Sequence, residues 1–143
     1  MRIVKKISNI FPNFILLVIV AFSSAYAQEF AIVANPSAPD ISVDDVKKIY
    51  LGIKKTLPDG TPALPLIVRG MPRELFVVIS GLTKSQFIQY WMKKIVDGEA
   101  VPPKEVELES QAIEIIKREK GAISVIPLYK AKEEGLKILL IIE

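Results

Sequence analysis

Apolar residues along this chain fall into blocks of two kinds, unbroken runs and runs interrupted at helical spacing. Phe30 to Ala34 is unbroken and is stopped by Asn35-Pro36, which predicts a strand buried on both faces. Leu64 to Val68 repeats that pattern, and Ala122 to Ile126 and Leu136 to Ile142 follow it with one polar residue each, Ser124 and Lys137. Elsewhere the spacing changes. Val43, Val46, Ile49 and Tyr50 share one side of a helix over about 43–50, opposite Asp44, Lys47 and Lys48. Leu75, Phe76, Ile79 and Leu82 mark a second helix. Phe87, Ile88, Trp91 and Ile95 form the expected inward stripe of a third, running from Lys84 to about Ile95. Ala112, Ile113 and Ile116 mark a fourth, with Glu114, Lys117 and Arg118 on its solvent side, and Tyr129 to Glu134 reads as a short charged helical turn.

Punctuation residues agree with these blocks. Ser42 stands as an N-cap three residues before Asp45, and Thr83 with Gln86 makes a capping box. Gly52 ends the first helix, Pro58-Asp59-Gly60 is a turn, and Pro72 fits the first turn of the second helix. Asp97-Gly98 stops the third helix, and Val101-Pro102-Pro103 is a stiff connector. Ser110 is the expected cap of the fourth helix and Gly121 its C-cap. The resulting order places the chain in the α/β class, as a mixed, mostly parallel sheet with helices on both faces and right-handed crossovers.

The first 27 residues stand apart. Arg2, Lys5 and Lys6 precede the apolar run Phe14 to Phe22, and Ala25 and Ala27 flank Tyr26 in an A-x-A pattern. These are the parts of a cleavable signal peptide, and the run is shorter than the roughly 20 apolar residues of a bilayer span. Cleavage after Ala27 predicts a periplasmic domain, residues 28–143, with no stable membrane insertion and, for want of a lipobox cysteine, no lipid anchor.

Cleavage also changes the charge. Taking the three basic residues of the leader from 19 leaves 16 Lys and Arg against 16 Asp and Glu, so the formal +3 of the full chain is no footprint for nucleic acid or for a membrane surface. Cysteine and histidine are both absent. That removes Cys-His and Ser-His-Asp chemistry and nearly every zinc or copper site. Asp44-Asp45 and Glu133-Glu134 are adjacent in sequence and diverge on a helix, so they make no general acid and base pair. Neither a Walker loop nor a dinucleotide loop occurs. The expectation is a non-enzyme with no catalytic residues, metal or cofactor.

Several segments, taken in order, resemble the phosphate-binding component of bacterial phosphate ABC transporters in its small, single-lobe relatives. They are the strand running into Asn35-Pro36-Ser37, Val46-Lys47-Lys48-Ile49-Tyr50-Leu51-Gly52, Pro58-Asp59-Gly60-Thr61-Pro62, Leu64 to Val68 with Arg69, Phe87 to Trp91, Gly98 with Pro102-Pro103 and a loop at Glu105-Val106, and Gly121-Ala122-Ile123. The resemblance implies a single lobe of the periplasmic-binding-protein type. It also implies capture of phosphate or a similar oxyanion by amides at a helix mouth, hydroxyls and one arginine, without metal. Carried to this sequence, the binding set is Ser37, Arg69, Gly70, Met71 and Arg73. The family's Ser-Gly-Thr after the arginine is replaced by Gly70-Met71-Pro72-Arg73-Glu74, which lacks both hydroxyls and, at Pro72, one amide.

Two functions therefore stand side by side: a binding protein for an oxyanion, and a ligand-free module that docks on a transporter or sensor protein of the envelope. In the second, Arg69 and Arg73 pair with Glu74 or solvent, Ser37 shapes a turn, and an exposed apolar patch near Tyr90, Met92 or Tyr129 carries the partner. Trp91 is expected in the core and Ser124 as a packed hydroxyl. An enzyme using carboxylates alone is a weaker third reading, requiring two acids that converge in a pocket.

Overall fold

The computed structural model of the chain describes residues 28–143, and the leader read at 1–27 lies outside them. The elements are β1 (Phe30–Ala34), α1 (Val43–Tyr50), β2 (Leu64–Val68), α2 (Leu75–Ser80), α3 (Lys84–Val96), β3 (Lys104–Val106), α4 (Glu109–Arg118), β4 (Ala122–Pro127), α5 (Leu128–Glu133) and β5 (Lys137–Ile142). One sheet holds the strands in the order β3-β2-β4-β1-β5. β2 is parallel to β3 and β4, whereas β1 is antiparallel to both β4 and β5. Four strands thus point one way and β1 alone is reversed.

Helices cover both faces, which is why β1 is apolar throughout and β4 is apolar but for the buried Ser124. On one face Ile32, Ala34, Ile123 and Val125 meet α1, α2 and α3 through Val46, Ile49, Phe76, Ile79, Phe87 and Trp91. On the other, Ala31, Val33, Leu66, Ala122 and Ile126 meet α4 and α5 through Ala112, Ile116 and Ala131. Among the described residues every buried side-chain polar atom has a hydrogen-bond partner.

Pro65 lies in a strand with neighbours on both sides, where a missing amide would interrupt the ladder. The pairing of β2 with β4 covers only Leu64 with Ala122 and Pro65 with Ile123. Beyond it side chains take over. The buried Tyr50 hydroxyl lies 2.8 Å from the Leu66 carbonyl and 3.3 Å from that of Ile123, and Ser124 Oγ donates to Leu66 at 3.4 Å. Burial holds the Tyr50 phenol far above its usual pKa, so it stays a neutral donor.

The caps at Ser42 and Thr83 form as expected. Ser42 Oγ accepts from the Asp45 amide at 3.1 Å, and the Thr83 and Gln86 side chains each accept from the other's amide. Other expectations need correction. α4 starts at Glu109, so Ser110 is inside its first turn, and Gln111 Oε1 accepts the Glu107 and Leu108 amides instead. Pro72 precedes α2 in a separate turn, closed by the Leu75 amide donating to its carbonyl. Gly121 is no left-handed cap; a Cβ there would sit 1.8 Å from the Pro62 carbonyl oxygen, so it is a point of close backbone approach. Ile88 and Ile95 are about half exposed rather than inward. Glu105-Val106, expected in a loop, belongs to the edge strand β3.

Candidate functional site

β2 ends at Val68, and the Arg69 amide extends its ladder by donating to the Val106 carbonyl at 2.8 Å. Gly70 then takes φ +81, which reverses the chain without a Cβ penalty. The turn closes as the Met71 amide donates to the Val68 carbonyl at 3.1 Å. Arg69, Gly70, Met71 and Pro72 line a small cleft of about 210 Å³ together with Phe30, Glu107 and Glu109. It opens at the carboxyl ends of the parallel strands, where open α/β sheets place their ligands.

The chemistry of this cleft differs from that of an anion receptor. Arg69 Nη1 donates to both carboxylate oxygens of Glu107, at 2.9 and 3.2 Å, and its Nε lies 3.7 Å from Glu105. All three side chains are about two-thirds exposed, so the pair adds at most about 1 kcal/mol to stability. Its consequence is electrostatic, because the cation that would attract an oxyanion is flanked by two carboxylates. The Arg69 and Met71 amides are committed to backbone carbonyls and Pro72 has none to offer. Met71 turns its side chain into the core among Leu75 and Phe76. The guanidinium of Arg73 is exposed, outside the cleft.

Ser37 does not join this group. Because β1 is reversed, its end at Ala34 is level with Ile123, at the start of β4, while Arg69 leaves the opposite end of the sheet. A set joining Ser37 to Arg69, Gly70 and Met71 is therefore corrected: the length of a strand separates them. The Ser37 amide donates instead to Asn35 Oδ1 at 2.8 Å, which makes it part of a turn. Asn35 Nδ2 donates to the carbonyls of Ile116 and Lys117 at 2.8 and 3.2 Å, so this buried amide closes the end of α4.

Tyr90 and Trp91 are likewise occupied with the fold. The Trp91 indole donates to the Tyr50 carbonyl at 3.1 Å and the Tyr90 hydroxyl to that of Leu51 at 2.5 Å, satisfying carbonyls at the end of α1. Among the patch residues expected from sequence, Met92 and Tyr129 are exposed and Tyr90 is half-buried. Asp40 and Asp59 are held below the usual carboxylate range by hydrogen bonds from Lys137 and Lys120, the wrong direction for a general acid.

Two solved structures share this fold. One is an ABC-type phosphate transport receptor from Vibrio cholerae, at a TM-score of 0.51 and 13% identity, matched over 78% of this chain and 45% of its own. The other is a possible phosphate binding protein from Planctomyces limnophilus, at 0.52 and 14%, over 78% of this chain and 40% of its own. No family model matches the chain, and neither does any curated protein. The chain thus shares the α/β fold of these structures and spans less than half of their length.

Sequence reasoning identified the arginine and its turn but missed the two carboxylates that face it. Their signal is the alternation Lys104-Glu105-Val106-Glu107, in which Val106 is buried while the glutamates stay outside. Among the described residues no group of three or more Asp or Glu could hold a metal, and no helix is long and apolar enough to cross a membrane.

Proposed function

We propose that this chain is exported and works as a non-catalytic, binding-protein-like lobe that docks on a partner in an envelope sensing or transport assembly, rather than capturing free phosphate. The observation that carries this reading is the engagement of Arg69 by Glu107 and Glu105. A phosphate approaching the guanidinium would have to displace one carboxylate and remain beside both. The likeness to phosphate-binding structures supports the fold on which such a lobe is built, and the A-x-A pattern at Ala25 and Ala27 supports export.

Calorimetric titration of residues 28–143 with inorganic phosphate tests it. The expected result is no heat at millimolar phosphate, with weak binding gained when Glu105→Gln and Glu107→Gln are combined. Heat from the unaltered protein that disappears in Arg69→Ala would restore the oxyanion receptor. Loss of the leader on secretion, read by the mass of the protein recovered outside the cytoplasm, checks the export half.

A further inference from the structure

Cleavage after Ala27 makes Gln28 the first residue of the exported chain. β1 starts at Phe30, so Gln28 and Glu29 stand before the sheet ladder, and both are exposed. The Glu29 carbonyl accepts from the Leu128 amide at 2.9 Å. Leu128 thus anchors the chain at Glu29, one residue after Gln28.

A glutamine in first place has a chemistry of its own. Its carboxamide carbon can meet its own α-nitrogen in a five-membered ring, and an α-amino group is far less basic than a lysine side chain, so part of it is unprotonated at neutral pH. Ring closure needs a main chain free to turn toward the side chain, whereas a residue within a strand is held extended. Gln28, exposed and ahead of β1, meets that requirement.

We infer that Gln28 is a modification site. Once the leader is removed, its α-nitrogen attacks its own Cδ; the N–Cδ bond forms, the Cδ–Nε2 bond breaks, and ammonia leaves, so that the mature chain begins with a pyroglutamyl lactam. The attacking amine loses one proton and the departing nitrogen gains it, and no second reactant enters. The inference goes beyond the docking reading and rests on the export half of the proposal above.

The cleft gives the modification a consequence. Gln28 lines it together with Arg69, Glu107 and Glu109. Outside the lining, Glu105 flanks Arg69 and Lys130 reaches Glu109 at 3.9 Å, which leaves these groups with one carboxylate in excess. A free α-ammonium at Gln28 would cancel that excess and make the cleft a better host for an anion. The uncharged lactam preserves it. Ring closure also removes the amine that aminopeptidases require, at an end where Gln28 and Glu29 are exposed.

Mass spectrometry of the protein secreted from the full chain tests the inference. The mature protein should be lighter than Gln28–Glu143 by one molecule of ammonia, and its first peptide should resist aminopeptidase. Gln28→Ser, which has no carboxamide, should lose that mass difference and regain a free amine, and this assigns the missing ammonia to residue 28. Protein cleaved after Ala27 whose mass stays whole and whose amine stays free after weeks at physiological temperature would overturn the inference and leave export standing. Cleavage at another bond would do the same, because Gln28 would not lead the chain. A retained leader would remove the export reading and the inference together.

Discussion

The two ends of the sheet are built differently. At the end where β1 leaves and β4 enters, buried or closely packed groups hold the loops: Asn35 binds the last carbonyls of α4, Gly121 lies against the Pro62 carbonyl, and Lys120 pairs with Asp59 at 2.9 Å. At the end where β2 leaves, the polar groups are Arg69, Glu105 and Glu107, all exposed. The first end shapes the chain path through contacts that have no substitute. The second carries charge on a frame already fixed by backbone hydrogen bonds, which leaves it free to change without harm to the fold.

Substitutions can break that contrast, in a graded order. Gly121→Ala should have the largest effect, a loss of about 3 kcal/mol or more in denaturant unfolding, because the added methyl meets a backbone oxygen that cannot move alone. Asn35→Ala should cost about 2 kcal/mol, since it leaves the carbonyls of Ile116 and Lys117 buried without their donor. A smaller effect is expected for Asp59→Asn, and it should depend on pH. The Lys120 hydrogen bond, helped by Thr61, lowers the Asp59 pKa to about 2, well below the usual carboxylate range. Its stabilisation is therefore present above about pH 4 and fades as the pH falls toward 2. Melting curves of the variant and the parent should differ at pH 6 and converge near pH 2. Arg69→Ala should change stability least, by less than about 0.5 kcal/mol. A loss at Arg69 as large as that at Asn35 would erase the difference between the ends.

Much of the fold was legible because each element carries its own local signal. The caps at Ser42 and Thr83, the unbroken apolar strands and the prolines around Val101 need no knowledge of neighbours. What escaped depends on partners distant in sequence. β3 is three residues long and two-thirds charged, so only its register with Leu66 to Val68 makes it a strand. Ile88 and Ile95 have the same spacing as core residues, yet both are about half exposed. Gly121 sits where a C-cap belongs, and only the approach of Pro62 shows its actual task. The candidate site followed the same rule. Arg69, Gly70 and Met71 stay together because they are contiguous, whereas Ser37 was lost when β1 proved to run backwards, a property absent from local pattern.

That reversed strand has a kinetic consequence. β1 comes first among the described elements, but its two neighbours are the last strands, pairing Phe30 with Pro127 on one side and with Ile142 on the other. No short hairpin can nucleate the centre of such a sheet; the chain must close the long loop between Ala34 and Ile123 before β1 gains a ladder bond to β4, a topology that slows folding. Among the described residues, Phe30 and Ile142 end side by side although more than a hundred residues separate them in the chain.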